Sequence, residues 1–123
     1  MNKGKDMPQK EKRKHPRAKI VCPVIIENNR NIISGETQDI SAGGAYIKCR
    51  SPLRHPEVNM YMSVSLLSPR VRAIGEVVRS DVLGSVKKGG CYGIGVRFVA
   101  ISDTDREIIS SKVAELLNHK TSE

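Results

Sequence analysis

The sequence predicts an all-β domain finished by one C-terminal helix, and three observations carry that prediction. Apolar and polar residues alternate with period two through several short segments. The cleanest sets Val58, Met60, Met62, Val64 and Leu66 against Asn59, Tyr61, Ser63 and Ser65. Clusters of Gly, Pro, Asn and Ser punctuate those segments at short intervals. After Ser102 the apolar period lengthens to that of a helix.

In chain order, residues 1–12 hold almost no apolar side chain and read as a flexible basic leader. A hinge at 13–17 follows. The β-branched run Ile20 to Ile26 is the first expected strand, and Glu27-Asn28-Asn29-Arg30 is a turn into a second, from about Asn31 to Asp39. Past the Gly43-Gly44 turn, Ala45 to Cys49 alternates as a third. Two prolines make Ser51 to Pro56 a loop. The Val58–Leu66 alternation is the fourth strand, with both methionines in the core. Val71 to Arg79 is the fifth, and Asp81 to Gly90, with its glycines and lysines, reads as a loop. Tyr92, Ile94, Val96 and Phe98 alternate with Gly93, Gly95 and Arg97 as the sixth. Ser102 is the expected N-cap of a helix over 102–119. Asp103, Asp105 and Glu107 suit its dipole, and Ile108, Ile109, Val113, Leu116 and Leu117 form its apolar stripe. That stripe should pack on the β-domain, taken as residues 13–101, or on a partner. Strands this short, in this order, make a small antiparallel barrel or a sandwich.

Charge narrows the partners. The chain carries +8, yet residues 1–19 hold eight Lys or Arg against Asp6 and Glu11, so only +2 belongs to the remainder. The basic character is that of a tail, and a tail of this kind seeks an anion: nucleic acid, a membrane surface or a phosphorylated small molecule. No apolar run reaches the roughly 20 residues of a membrane helix, and no export signal is seen, so membrane insertion is not expected and a cytoplasmic protein is. Cys22, Cys49 and Cys91 are odd in number, without metal-ligand spacing, and read as small hydrophobes of a reduced compartment.

Catalytic chemistry finds little support. His15, His55 and His119 fall in tail or loop positions without a nucleophile or metal-ligand companion, and no acid pair or phosphate-binding GxxxxGK loop occurs. No cofactor is expected. Two other elements do carry chemistry. Arg13 and Arg17 place two guanidiniums four residues apart at a hinge. Each is a planar fork suited to phosphate or to guanine O6 and N7. Asp39-Ile40-Ser41-Ala42-Gly43-Gly44 offers carboxylate acceptors, a hydroxyl, and glycines that permit positive φ and close approach of a ligand. Alone, the first is any basic tail, and the second is a Ser-stabilised turn.

Together these elements resemble the PilZ family of cyclic di-GMP receptors. The family's RxxxR and D/NxSxxG motifs match Arg13…Arg17 and Asp39…Ser41…Gly44, one hairpin apart, ahead of a late strand similar to Tyr92–Phe98. The likeness spans roughly residues 10–100. It implies a six-stranded antiparallel PilZ-type β-barrel that senses its ligand without consuming it. By position, Arg13 and Arg17 would hold phosphates and a guanine edge, and Asp39, Ser41 and Gly44 the other face of a guanine. Lys12, Lys14 and Gly43 would add contacts, and Arg79 stands where some members stack a side chain on a base. A basic residue before the motif, here Lys12, accompanies an intercalated pair of ligand molecules. The resemblance further implies a stand-alone adaptor whose leader is ordered by ligand and read by an effector protein.

Two other readings compete. A basic-armed nucleic-acid-binding barrel would need aromatic stacking platforms, and the chain has no Trp, one Phe and three Tyr. A PilZ-like interaction module without ligand binding would usually lack the RxxxR arginines, and both are present.

Overall fold

The structure, a computed structural model, describes residues 15–84 and 90–121. Its strands are β1 (Arg17–Ala18), β2 (Pro23–Asn28), β3 (Asn31–Ser41), β4 (Gly44–Cys49), β5 (Glu57–Met62), β6 (Val71–Leu83) and β7 (Cys91–Ile101), followed by helix α1 (Asp103–Thr121). Neighbours run β3-β2-β5-β6-β7-β4, and β4 returns to β3, so six antiparallel strands close a barrel. The expected fold class is therefore the observed one, resolved in favour of a barrel. β1 is an addition, pairing with the end of β3 through Arg17–Ser41 and Ala18–Ile40.

Inward residues of every strand fill one core. Val24 and Ile26, Ile40, Ile47, Val58, Met60 and Met62, Val71, and Ile94 are almost wholly buried within it. Ile109 and Val113 of α1 close one side of that core, with Ile108, Leu116 and Leu117 half-buried around them. Ser102 caps the helix as expected: its Oγ accepts from Asp105 N at 3.0 Å and its carbonyl from Arg106 N.

Two bulges decide what the outer surface carries. Thr37 faces Ile47 inside the barrel, and strict alternation would also turn Asp39 inward. Gln38 is the extra residue between the Thr37–Ile47 and Asp39–Tyr46 pairs, so Asp39 faces outward and Ile40 inward. In β6 the extra residue is Val78, between Val77–Val96 and Arg79–Gly95. It turns Arg79 and Asp81 outward where a regular strand would bury them.

The loops are fixed by polar contacts. The β2–β3 hairpin turns on Asn29 and Arg30, both at positive φ (53° and 76°), the conformation of a tight two-residue hairpin. Asn28 just before it is almost wholly buried. Its amide donates to the carbonyls of His55 and Glu57, and its oxygen accepts from Arg54 N and His55 N, which anchors the loop between β4 and β5.

Several sequence expectations change. The fourth strand stops at Met62. Val64 remains buried, but Ser65 Oγ then accepts from Leu67 N and turns the chain, leaving Leu66 fully exposed instead of in the core. The fifth strand continues through the expected loop to Leu83, because β7 accompanies it to Cys91. His119, placed in a tail, falls within α1. Cys22 and Cys49 are buried, whereas Cys91 is only half-buried.

Asn28→Ala should cost about 2 kcal/mol, since two backbone donors and two backbone acceptors lose their partner in a part-buried network. Urea denaturation at unchanged m-value measures it, and a loss below about 1 kcal/mol would mean the loop holds without this amide.

Candidate ligand-binding face

The site grows from the turn between β3 and β4. Ser41 Oγ accepts from Gly43 N at 3.1 Å, a local serine turn. Gly43 O accepts from Phe98 N at 2.8 Å, which pins the turn to β7. Neither glycine sits at positive φ, so the conformational reason expected for them gives way to a steric one. A Cβ on Gly44 would overlap the carbonyl oxygen of Val96. A Cβ on Gly43 would stand 2.6 Å from Cδ2 of His15. The imidazole between the two motif arginines therefore lies on the motif turn, a contact the sequence did not suggest.

Arg17 is held beside this turn by its own strand. β1 pairs it with Ser41, and the link after it is tied down by Thr37, fully buried at the β3 bulge. Thr37 Oγ1 donates to Ile20 O and accepts from Cys22 N at 3.0 Å. From there Arg17 Nη1 stands 3.5 Å from Asp39 Oδ1, an ion pair without a hydrogen bond. That carboxylate oxygen is inaccessible to solvent and has no hydrogen-bond partner among the described residues. Buried acceptors are rarely left so.

Arg79 joins the same outer surface through Tyr46, the ladder neighbour of Asp39. The Tyr46 ring leans across β7, its hydroxyl donates to Asp81 Oδ2 at 2.9 Å, and Arg79 Nε donates to that same oxygen at 3.0 Å. The Arg79 guanidinium carbon lies 5.4 Å from the ring centroid, within cation–π range. The Tyr46 hydroxyl and Arg79 hold the Asp81 carboxyl below the usual carboxylate range. Burial, then the bond to Asp81, pushes the Tyr46 phenol up. Asp81 is thus ionised and Tyr46 protonated from neutral pH down to the ordinary aspartate range. Further along the surface Arg97 pairs with Glu76. From the helix, Arg106 Nη1 reaches Ala42 O of the motif turn at 3.5 Å.

Arg17, Asp39, Ser41, Gly43 and Gly44 are therefore brought together at one corner, with Arg79 nearby. Arg13, Lys12 and Lys14, with the leader, lie outside the described residues. Tyr46, Asp81, His15 and Arg106 were not read from the sequence as parts of the site. The usable signal for Tyr46 was the pair Gly93 and Gly95, two outward glycines on the strand beside it. A cleft of about 730 Å³ lies elsewhere, between Ile33, Gly35, Lys48, Cys49 and Cys91, and contains none of the motif residues. No group of three or more His, Cys, Asp or Glu placed to hold a metal occurs among the described residues. No described helix is long and apolar enough to cross a membrane.

The PilZ domain family model matches residues 11–115. Among solved structures, the chain is similar to the inhibitor of motility MotI/DgrA of Bacillus subtilis. That match has a TM-score of 0.72 at 16% identity and covers 88% of this chain and 52% of that one. It is also similar to the PilZ domain of YcgR from Escherichia coli, solved with c-di-GMP (TM-score 0.62, 11% identity, 90% of this chain and 98% of that one). A third is MrkH, a c-di-GMP-dependent transcription regulatory factor (TM-score 0.61, 17% identity, 90% and 52%). The chain thus spans about half the length of MotI/DgrA and of MrkH. No curated relative matches.

Gly44→Ala should destabilise the ligand-free barrel by roughly 2–3 kcal/mol, because its methyl meets backbone that cannot turn aside. Thermal or urea unfolding reads this out, and an unchanged midpoint would return Gly44 to a role in ligand clearance alone.

Proposed function

The chain belongs to the PilZ domain family, and from that premise we propose that it is a non-catalytic receptor for cyclic di-GMP. The observation that carries the reading is the Asp39 carboxylate at the motif turn, whose Oδ1 has no hydrogen-bond partner among the described residues and lies 3.5 Å from the guanidinium of Arg17 in β1. Leaving such an oxygen unmet costs about 1–3 kcal/mol. The rest of the Asp39 carboxylate is partly exposed and can accept the paired N–H donors of a guanine edge, while the half-exposed Arg17 offers its fork to phosphate or to O6 and N7. Arg13, four residues earlier, supplies the second guanidinium of the motif. Lys12 ahead of it favours two intercalated ligand molecules per chain.

The mechanism that follows is a closure over a preset half-site. Arg17, Asp39 and the Ser41 turn form the standing part, and ligand draws Arg13 and the leader across the barrel. The contact of Arg106 with Ala42 O supports a second route outward, since a shift of the turn is felt by α1. The altered surface of leader and helix is then read by an effector protein.

A nucleic-acid polymer fits the face poorly. Phe98 is buried and Tyr92 packs on the core. Tyr61 carries Arg70 and Arg72 over its ring, each at 5.8 Å. Tyr46 lies beneath Arg79. No open aromatic platform for stacked bases remains among the described residues.

Isothermal titration of the full chain with cyclic di-GMP tests the reading. Binding is expected with two ligand molecules per chain and a shallow salt dependence, since few phosphates are engaged. Silence at about tens of micromolar protein overturns the receptor reading. Arg17→Ala should abolish the heat while leaving the melting temperature within about 2 °C, as for a surface substitution. A collapse of the fold instead would make Arg17 structural.

A further inference from the structure

The bulge at Val78 gives the ligand face an arrangement that the motif residues do not account for. A regular β6 would bury Arg79 and Asp81; the bulge sets both outside, two residues apart on the same side. Gly93 then removes the obstacle between β4 and β6, since a Cβ there would overlap the phenol oxygen of Tyr46. Gly95 leaves room beside the Arg79 Cβ, 3.3 Å from where its own Cβ would be. Across this bare track the Tyr46 hydroxyl reaches Asp81, and Asp81 takes Arg79 by Nε alone.

The consequence for Arg79 is specific. Its guanidinium carbon lies over the Tyr46 ring, 5.4 Å from the centroid, and its Nε is engaged, while the side chain stays 66% exposed. A long cation at such exposure normally samples many rotamers, and binding through it must freeze them. Here one orientation is held before a ligand arrives. The outer guanidinium face is open to a planar base, and no hydrogen bond to either terminal nitrogen is made among the described residues.

We propose that Asp81 and Tyr46 are positioning residues of the ligand face, holding the Arg79 guanidinium in place as a ready platform for a purine base. The alternative is an ordinary surface ion pair, which would contribute little to anything. This inference rests on the receptor reading above and adds the two residues that make Arg79 effective. Asp81 acts only through Arg79, so its removal should matter only while Arg79 is present.

A double-mutant cycle separates the two accounts, with cyclic di-GMP titrated into the full chain. Arg79→Ala and Asp81→Ala should each weaken binding by about tenfold, as for loss of one oriented cation contact. The double variant should be no weaker than Arg79→Ala. Tyr46→Phe, which keeps the ring and loses the bond to Asp81, should fall between Asp81→Ala and the parent chain. Melting temperatures report folding in parallel, and if Asp81→Ala misfolds, Asp81→Asn takes its place in the cycle with a smaller loss. Should the parent bind while Asp81→Ala binds equally well, or should the two losses add in full, the positioning role is wrong and the receptor reading survives. A parent chain that does not bind removes both.

Discussion

The fold hinges on how closely the β3–β4 turn approaches β7. Gly44 stands so near the Val96 carbonyl that no side chain fits, and Gly43 O accepts from Phe98 N beyond it. This is where β4 is clamped between β3 and β7 and the barrel becomes a ring. A sheet of six strands can close only if its strands also shift and tilt. The tight turn concentrates that requirement at residues 41–44. The same residues are the motif turn. Its backbone is therefore rigid because the barrel needs it so, and the site inherits that rigidity.

Rigidity there governs what the neighbouring side chains can do. β3 is long enough to pair with β2 through its first half and β1 at its end, with β4 along the opposite edge. Where these ladders meet, Thr37 holds the β1–β2 link with three interactions of one buried hydroxyl. Arg17 is carried to Asp39 by strand geometry and not by the attraction of opposite charges. A half-exposed pair at 3.5 Å would add little by itself. The pair is a by-product of two ladders, and Asp39 Oδ1 is left without a hydrogen-bond partner among the described residues.

Much of this was legible because period-two patterning is a direct imprint of a half-buried strand. Val58 to Met62 and Tyr92 to Phe98 were read as they stand, and Ser102 announced the helix by its capping chemistry. Asp39 and Arg79 were named from motif and position, not from alternation, and what escaped has more than one physical source. A bulge adds a residue without leaving a compositional mark, so alternation carried through Gln38 and Val78 puts Asp39, Arg79 and Asp81 on the wrong face. Asp81 was assigned to a loop because Gly84, Gly89 and Gly90 follow it. Leu66 failed in the opposite sense: its spacing is that of the core, but the strands that would pair beyond Met62 have already ended. Of the site, the motif turn and Arg17 were legible, while the partners that cross strands, Tyr46 above all, were not. A contact between β4 and β6 over a glycine track has no signature in either strand alone.

That crossing also accounts for the glycines of the late strand, Gly93 because a Cβ would overlap the Tyr46 hydroxyl and Gly95 because one would crowd the Arg79 Cβ at 3.3 Å. Strand interiors do not favour glycine, which weakens them through entropy and lost packing. In β7 the two outward glycines are flanked by Ile94 and Val96, both buried, so the core side has kept its full apolar complement. The cost falls on the outer side only, and there the missing side chains are replaced by the Tyr46 ring and by the stem of Arg79. A surface made this way is flat, preset and held from β4 and β6 together. It lies next to Asp39 by register, not by loop conformation, so its geometry is set by the same ladders that close the barrel. The half of the site built on strands is thus set by the fold itself, and only α1, through Arg106 on Ala42 O, reaches the motif turn from outside the barrel among the described elements.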